Sequence, residues 1–377
     1  MSDIPAIPAA NPLAAYLARQ PEIDQAIRRV LSGGRYILGP EAHAFEQEFA
    51  SYLGARFAVG VGSGTEALHG ALRVCGIGSG DTVITVSHTA VATVAAIELA
   101  GAIPLLVDID PQRYTLDPNR LEDTLRANRS LRIKALIPVH LYGHPVDMPS
   151  IMSIAERFGL RVIEDCAQSH GASIDGRKTG TWGHLAAFSF YPTKNLGAFG
   201  DGGALVTNDS NLAERATLFR EYGWRERYIS ESPGANSRLD ELQAAILRVK
   251  LKFLDQDNAK RREVASQYDS MLSASQLVLP YCGPGISHVY HQYVIRTRRR
   301  DDLKEFLTTR SVGALIHYPV PVHQQPAYRD RVLTQGGLEA TEQICHEILS
   351  LPMHPHLTSD EVCQVGNVMV SFFTEDL

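Results

Sequence analysis

Paired cysteines are missing from this chain. Its five, Cys75, Cys166, Cys282, Cys345 and Cys363, are scattered and none forms a C-x-x-C pair. That spacing excludes a disulfide framework and a cysteine-based zinc site, and it reads as reduced, partly buried thiols. A basic surplus is missing too. The formal net charge is −6, so the chain has no electrostatic reason to grip nucleic acid without sequence preference. No apolar run is long enough to span a bilayer, which argues against a membrane protein. The stretch from Met1 to Pro12 lacks the basic start and apolar core of a signal peptide, so the expected location is the cytoplasm.

The 377 residues, 44% hydrophobic and 21% charged, suffice for one large domain plus a smaller one. Helical periodicity from about Pro21 to Leu53 is broken at Ser32-Gly33-Gly34. Short apolar strands then alternate with helices: strands at Phe57–Val61, Thr82–Val86, Ile103–Asp108, Ala135–Val139 and Leu160–Asp165, and helices at Ala67–Leu72, Ala90–Leu99 and Ile151–Phe158. This rhythm predicts an α/β fold whose mostly parallel sheet is sandwiched by helices. After about Gly234 the pattern changes. A long helical stretch, Arg238 to Leu272, precedes strand-like Val289–Ile295 and Val312–Ile316, expected in a smaller α+β unit. The expected domains are 1–250 (large) and 251–377 (small, C-terminal), with the first ~15 residues packing on the small one.

Three groups of residues carry candidate chemistry. Gly60-Val-Gly-Ser-Gly-Thr65 joins a strand to a helix. It lacks the last glycine of a dinucleotide fingerprint and the Gly-Lys-Ser/Thr of a P-loop. Free N–H groups at a helix start, with the hydroxyls of Ser63 and Thr65, would suit one phosphate, although an ordinary tight turn reads the same way. Val162-Ile-Glu-Asp165-Cys166-Ala167-Gln168 puts a carboxylate and an amide at a strand end, where open α/β sheets bind ligands. Lys194 lies between apolar Phe188–Tyr191 and glycine-rich Gly197–Gly203. Two readings fit it, a solvated loop lysine or an amine nucleophile of lowered pKa. A carboxylate, an amide and a lysine on neighbouring strand ends would suit pyridoxal phosphate: the acid keeps the ring nitrogen protonated, the amide meets the ring hydroxyl, the lysine forms the Schiff base.

Six segments, in order along the chain, resemble the sugar-nucleotide aminotransferases of the DegT/DnrJ/EryC1/StrS family, which are fold-type I pyridoxal phosphate enzymes. They are Gly62–Leu68, Gly80–Ile84, Val162–Gly171, Ser189–Leu196, Gly200–Gly203 and Asn236–Ala245. The resemblance implies pyridoxal 5'-phosphate as cofactor, with Lys194 as Schiff-base lysine and proton shuttle. It implies Asp165 against the ring nitrogen and Gln168 near the ring hydroxyl. Gly64, Thr65 and Ser189 would hold the phosphate, and His88 would place a ring against the cofactor face. Asn236 would reach the neighbouring subunit's phosphate site, implying a homodimer with shared active sites. His317, Tyr318 and His323 would lie near the sugar nucleotide, or simply pack their loop. Arg225 would meet the diphosphate, or stand as solvated charge.

The frame is most similar to members that aminate C3 of dTDP-linked 3-keto-6-deoxyhexoses for surface polysaccharides or glycosides, with L-glutamate as donor. Members that aminate C4 share much of it. A dehydratase of the same fold would carry histidine at position 194, where this chain has lysine. A non-catalytic cofactor-bound regulator would not need the Asp165, Gln168 and Lys194 set. Histidines at 140 and 144, 317 and 323, and 354 and 356 lack an acid completing a ligand set, so no metal is expected.

Overall fold

The computed structural model describes residues 6–374. Among the expectations above, those for residues 1–5 fall outside the described residues. Eight strands form the main sheet: β1 (Phe57–Val61), β2 (Thr82–Val86), β3 (Ile103–Val107), β4 (Ile133–Leu136), β5 (Arg161–Asp165), β6 (Leu185–Ser189), β7 (Gly203–Thr207) and, far along the chain, the short Leu333–Thr334. Their order is β1-β7-β6-β5-β4-β2-β3, closed by Leu333–Thr334 beside β3. All neighbours pair parallel except β7, which runs against both β1 and β6.

Successive side chains on a strand point to opposite faces. Val83, Ala135 and Ile163 therefore enter one core with Leu68, Leu72, Ile97 and Phe219, while Ile84, Leu136 and Val162 enter the opposite core with Leu121, Ile151 and Val294. Both faces are covered, as a mostly parallel sheet requires. At the β6 end a third core gathers Phe45, Phe49, Phe188 and Phe190, with edge-to-face rings 5.0–5.4 Å apart.

The helices that matter below are α1 (Gln20–Gly33), α2 (Pro40–Leu53), α3 (Gly64–Val74), α4 (Val91–Leu99), α5 (Glu241–Leu251), α6 (Leu254–Leu272), α7 (Glu339–Glu347) and α8 (Ser359–Thr374). Glycine precedes α2 and offers no capping side chain. Glu241 of α5 takes that role from 200 residues away: its carboxylate accepts from the N–H groups of Gly39, Glu41 and Ala42 at 2.8–2.9 Å.

The C-terminal elements bury a core of their own. Tyr268, Tyr293, Ile295, Leu349, Leu351, Val362 and Met369 fill it, and Tyr293–Arg296 pairs antiparallel with Ile348–Leu351. Ile7 joins this core and bridges Val312, its N–H donating to the Ser311 carbonyl at 3.0 Å.

Two expectations shift in detail. The strand expected at Val289–Ile295 begins only at Tyr293, because Tyr290 adopts the left-handed region (φ 42°) and turns residues 289–292 out of the extended path. Val312–Ile316 contributes isolated bridges, Val312 to Ile7 and Leu315 to Ser350, rather than a strand.

Candidate active site

A cavity of about 340 Å³ opens at the C-terminal ends of β5 and β6, beside the start of α3. Its walls include Gly64, Thr65, Asp165, Gln168, Ser189 and Lys194, six of the sequence-predicted positions. His317 and Tyr318 close it from the C-terminal side.

Lys194 sits in the loop after β6, its own N–H donating to the Tyr191 carbonyl at 2.9 Å. Enclosure disfavours the ammonium and pushes its pKa down from 10.5 to about 8, while the Asp165 carboxylate works in the opposite direction. Amine and ammonium are then both available near neutral pH.

Asp165 ends β5, 5% exposed. Burial raises its pKa; the Ala167 N–H at 3.1 Å and the Thr93 hydroxyl at 2.9 Å favour the charged form. Its neighbour Glu164 points to the other face, as alternation demands. There it accepts from the N–H groups of Gly180, Trp182 and Gly183 at 2.8 Å. Two adjacent acids thus divide the work: one lines the cavity and one anchors a loop.

Glu164 also meets His140 at 3.1 Å, and with Cys166 they form a buried group whose ligand atoms lie within 4.8 Å of one another. His140 Nδ1 accepts from the Val146 N–H at 3.0 Å, so its Nε2 carries the proton and donates to Glu164. Both ring nitrogens are spent, which suits a structural clamp rather than a metal centre.

Gln168 is fixed at both ends. Its Oε1 accepts from the Tyr142 N–H at 2.7 Å and its Nε2 donates to the Tyr318 hydroxyl at 3.2 Å. At the other end of the cavity α3 begins at Gly64, capped by Ser63, whose Oγ accepts from the Glu66 N–H at 3.2 Å. A Cβ at Gly64 would stand 2.6 Å from Ser189 Cβ, so only glycine lets the helix start approach the end of β6. The early N–H groups of α3 and the hydroxyls of Thr65 and Ser189 therefore share one corner.

Four predicted positions lie elsewhere. His88 is not in the cavity wall; Thr89, Ala90 and Ala92 represent its segment there. Its buried ring donates from Nε2 to the Tyr142 hydroxyl at 2.8 Å, and Tyr142 passes its own proton to the His317 carbonyl. Nδ1 accepts from the Cys345 thiol at 3.5 Å. Burial lowers the His88 pKa to about 4, so the ring stays neutral in this relay. His323 clamps a loop: Nδ1 meets Ser87 Oγ at 2.7 Å and Nε2 meets Glu342 at 2.9 Å. Arg225 is exposed and paired with Glu214 and Glu231 at 2.7 and 2.8 Å, as a solvated charge would be. Asn236 is exposed on the segment that bridges back to Glu221.

Other wall residues went unnoticed in sequence. Thr89 is one, and behind the wall Thr93 of α4 touches Asp165; the Thr89/Thr93 spacing of one helical turn is their only sequence signal. His291 and Gln292 reach the cavity because the chain is not yet a strand there. The Asn195 amide oxygen, 3.2 Å from His291 Nδ1, accepts its proton, and burial beside Lys194 keeps the ring neutral.

The sequence profile described as the DegT/DnrJ/EryC1/StrS aminotransferase family matches residues 18–370. The chain is 47% identical to a dTDP-3-amino-3,4,6-trideoxy-alpha-D-glucose transaminase of Streptomyces venezuelae, over 97% of this chain and 95% of that protein. It is 46% identical to a dTDP-3-amino-3,6-dideoxy-alpha-D-galactopyranose transaminase of Aneurinibacillus thermoaerophilus, over 92% and 94%. Among solved structures, Streptomyces venezuelae DesV in complex with a ketimine intermediate superposes with a TM-score of 0.94 at 46% identity, covering 98% of both chains.

Proposed function

The chain belongs to the DegT/DnrJ/EryC1/StrS aminotransferase family, and from that premise we propose that it aminates C3 of a dTDP-linked 3-keto-6-deoxyhexose, with L-glutamate as donor. It is a pyridoxal-phosphate-dependent sugar-nucleotide aminotransferase of deoxysugar biosynthesis. The choice of C3 and of dTDP is supported by the relatives that carry both in their names at 46–47% identity. The observation carrying the reading is the convergence of Lys194, Asp165, Gln168 and the Gly64–Thr65–Ser189 corner on one cavity.

These residues fit the cofactor. The corner that only a glycine at 64 permits offers N–H and hydroxyl donors to a phosphate. Asp165, held by Thr93 and Ala167, would keep a ring nitrogen protonated. Gln168 is oriented by Tyr142 and Tyr318 beside it. When bound, pyridoxal phosphate supplies a carbonyl for amine exchange and a ring that takes up the electron pair released at the substrate carbon.

The chain's own residues do the rest. Lys194 would hold the cofactor through its Nζ. Freed as an amine, its Nζ would take the proton from the donor's α-carbon and later deliver one to the sugar carbon that receives nitrogen. Its lowered pKa serves both directions. Asp165 would act throughout by its charge. Tyr318 and His317 would shape the sugar side of the cavity. Asn236 would complete the phosphate site of a second copy, making a homodimer; its exposure, with that of Tyr222, Tyr228 and Ile229, supports a surface kept for a partner. The five free cysteines suit the cytoplasm. Among the described residues no helix is long and apolar enough to cross a membrane.

The test offers the enzyme, with glutamate, dTDP-linked 3-keto and 4-keto hexoses in separate reactions and locates nitrogen by NMR. Amination of the 3-keto sugar alone is expected. Exclusive amination at C4 would sink the choice of carbon and leave the family standing.

A further inference from the structure

A second cavity lies behind Lys194. It is small, about 30 Å³, and is bounded by the Pro192–Asn195 loop, by Lys250 of α5, by Asp257 and Arg261 of α6, and by His354 and His356. Thr193 and Lys194 belong to the walls of both cavities and separate them.

Its charges are out of balance. Among the described residues its wall holds Lys250 and Arg261, and also Lys194, which faces Asp165 on its other side, against one carboxylate of its own, Asp257, whose Oδ1 is buried without a hydrogen-bond partner. That carboxylate is already approached by Arg19 at 3.5 Å. Arg261 is 5% exposed. Its Nη1 donates to the carbonyls of Tyr290, His291 and Met353 at 3.1–3.4 Å, which are dipoles and not charges. Its Nε–H is buried without a protein partner, as are both ring nitrogens of His354, a residue 4% exposed. Lys250 donates to the Gly197 carbonyl, again a neutral acceptor.

Buried N–H donors without acceptors and partly or fully enclosed cations that outnumber their counter-ions are both costly. A water molecule would remedy the first and leave the second. One anion remedies both. The size sets a limit, because about 30 Å³ admits roughly two water-sized spheres at most. That excludes a nucleotide, a sugar or a dicarboxylic amino donor.

We infer that this cavity is a binding site for a single halide-sized monoanion, held by Arg261 Nε, Lys250 and a ring N–H of His354. Its place gives it a consequence. A negative charge on the side of Lys194 away from the main cavity favours the ammonium form, so the anion ties the amine to the salt around the enzyme.

Bromide is the probe. Crystals of the full-length holoenzyme soaked in sodium bromide should give an anomalous peak within hydrogen-bonding reach of Arg261 Nε and His354. In solution, bromide should raise the thermal midpoint with a saturating dependence that sodium sulfate of equal ionic strength does not reproduce. Arg261 supports three carbonyls, so Arg261→Gln could unfold the chain; Lys250→Met and His354→Leu are the informative variants. Each should weaken the apparent bromide affinity about tenfold or more, with the cofactor still bound and its absorbance unchanged. The inference fails if the cavity shows only water or a partner's side chain, or if Lys250→Met keeps the parental bromide dependence. None of these readouts requires turnover, so they stand apart from the identity of the sugar.

Discussion

The two walls of the main cavity are held by different means. On the sheet side, Asp165, Ser189 and Lys194 stand at or just after strand ends, and their positions follow from β5 and β6 themselves. On the C-terminal side, His317 and Tyr318 lie on a loop with no strand or helix to direct it. Side-chain bonds direct it instead: Cys345 to His88 to Tyr142 to the His317 carbonyl, His317 Nδ1 to Ser350 at 2.8 Å, and Ser87 to His323 to Glu342. The difference suggests a division. Where a backbone ladder sets position, a substitution should change chemistry; where a side-chain relay sets it, a substitution should change fit.

Substitutions can break that division. The largest effect belongs to the sheet side. Lys194→Ala should lower turnover about 10⁴-fold or more in single-turnover assays, while the fold is retained. Full turnover in that variant would remove Lys194 from the chemistry. Asp165→Asn should follow, with a loss of about 10²–10³ in kcat and little change in KM for the sugar nucleotide. On the other wall, His323→Ala removes two hydrogen bonds from a loop and no group from the cavity. At ~0.5–1.5 kcal/mol each, the two together are worth about 1–3 kcal/mol, so the expected signature is a rise of about 5- to 150-fold in KM, with kcat nearly unchanged. A matching fall in kcat would collapse the distinction between the walls.

Stability sharpens the same comparison from a different side. Lys194 has its pKa lowered from 10.5 to about 8 on folding, so the unfolded chain binds the extra proton between those values. The cost of enclosing the ammonium is therefore complete below about pH 8 and is relieved as pH rises towards 10.5. Cofactor-free Lys194→Met should melt above the parent at neutral pH, with the gap narrowing above pH 8. An unchanged gap across that range would mean the lysine is not enclosed. His323→Ala, which removes contacts without relieving an enclosed charge, should melt slightly below the parent at every pH in this interval.

How much of this was legible follows from the range of the forces involved. The Gly64–Thr65 turn, Asp165 at a strand end and Lys194 beyond the next strand stand out because strands and turns are local, and a mostly parallel sheet brings its C-terminal ends together. His88 misleads for the opposite reason. The family resemblance implies its ring against the cofactor face, yet that ring lies outside the cavity wall, bonded to Tyr142, 54 residues on, and Cys345, 257 residues on. No local pattern announces such partners. His291 and Gln292 were hidden by an apolar run that reads as a strand, until Tyr290 turns left-handed. Arg225 finds acids on its own hairpin and a neighbouring helix, outside the cavity wall.

The order of residues by itself determined the alternation of strands and helices, the glycine that lets α3 approach β6, and the lysine at position 194, because each depends on backbone geometry within a few residues. Only the tertiary structure decided which of two adjacent acids faces the cavity, which histidines line it and which clamp its loops, and that a second, cation-rich hollow backs onto Lys194. Those outcomes depend on hydrogen bonds and desolvation between groups up to hundreds of residues apart, and such pairings exist only once the chain has closed on itself.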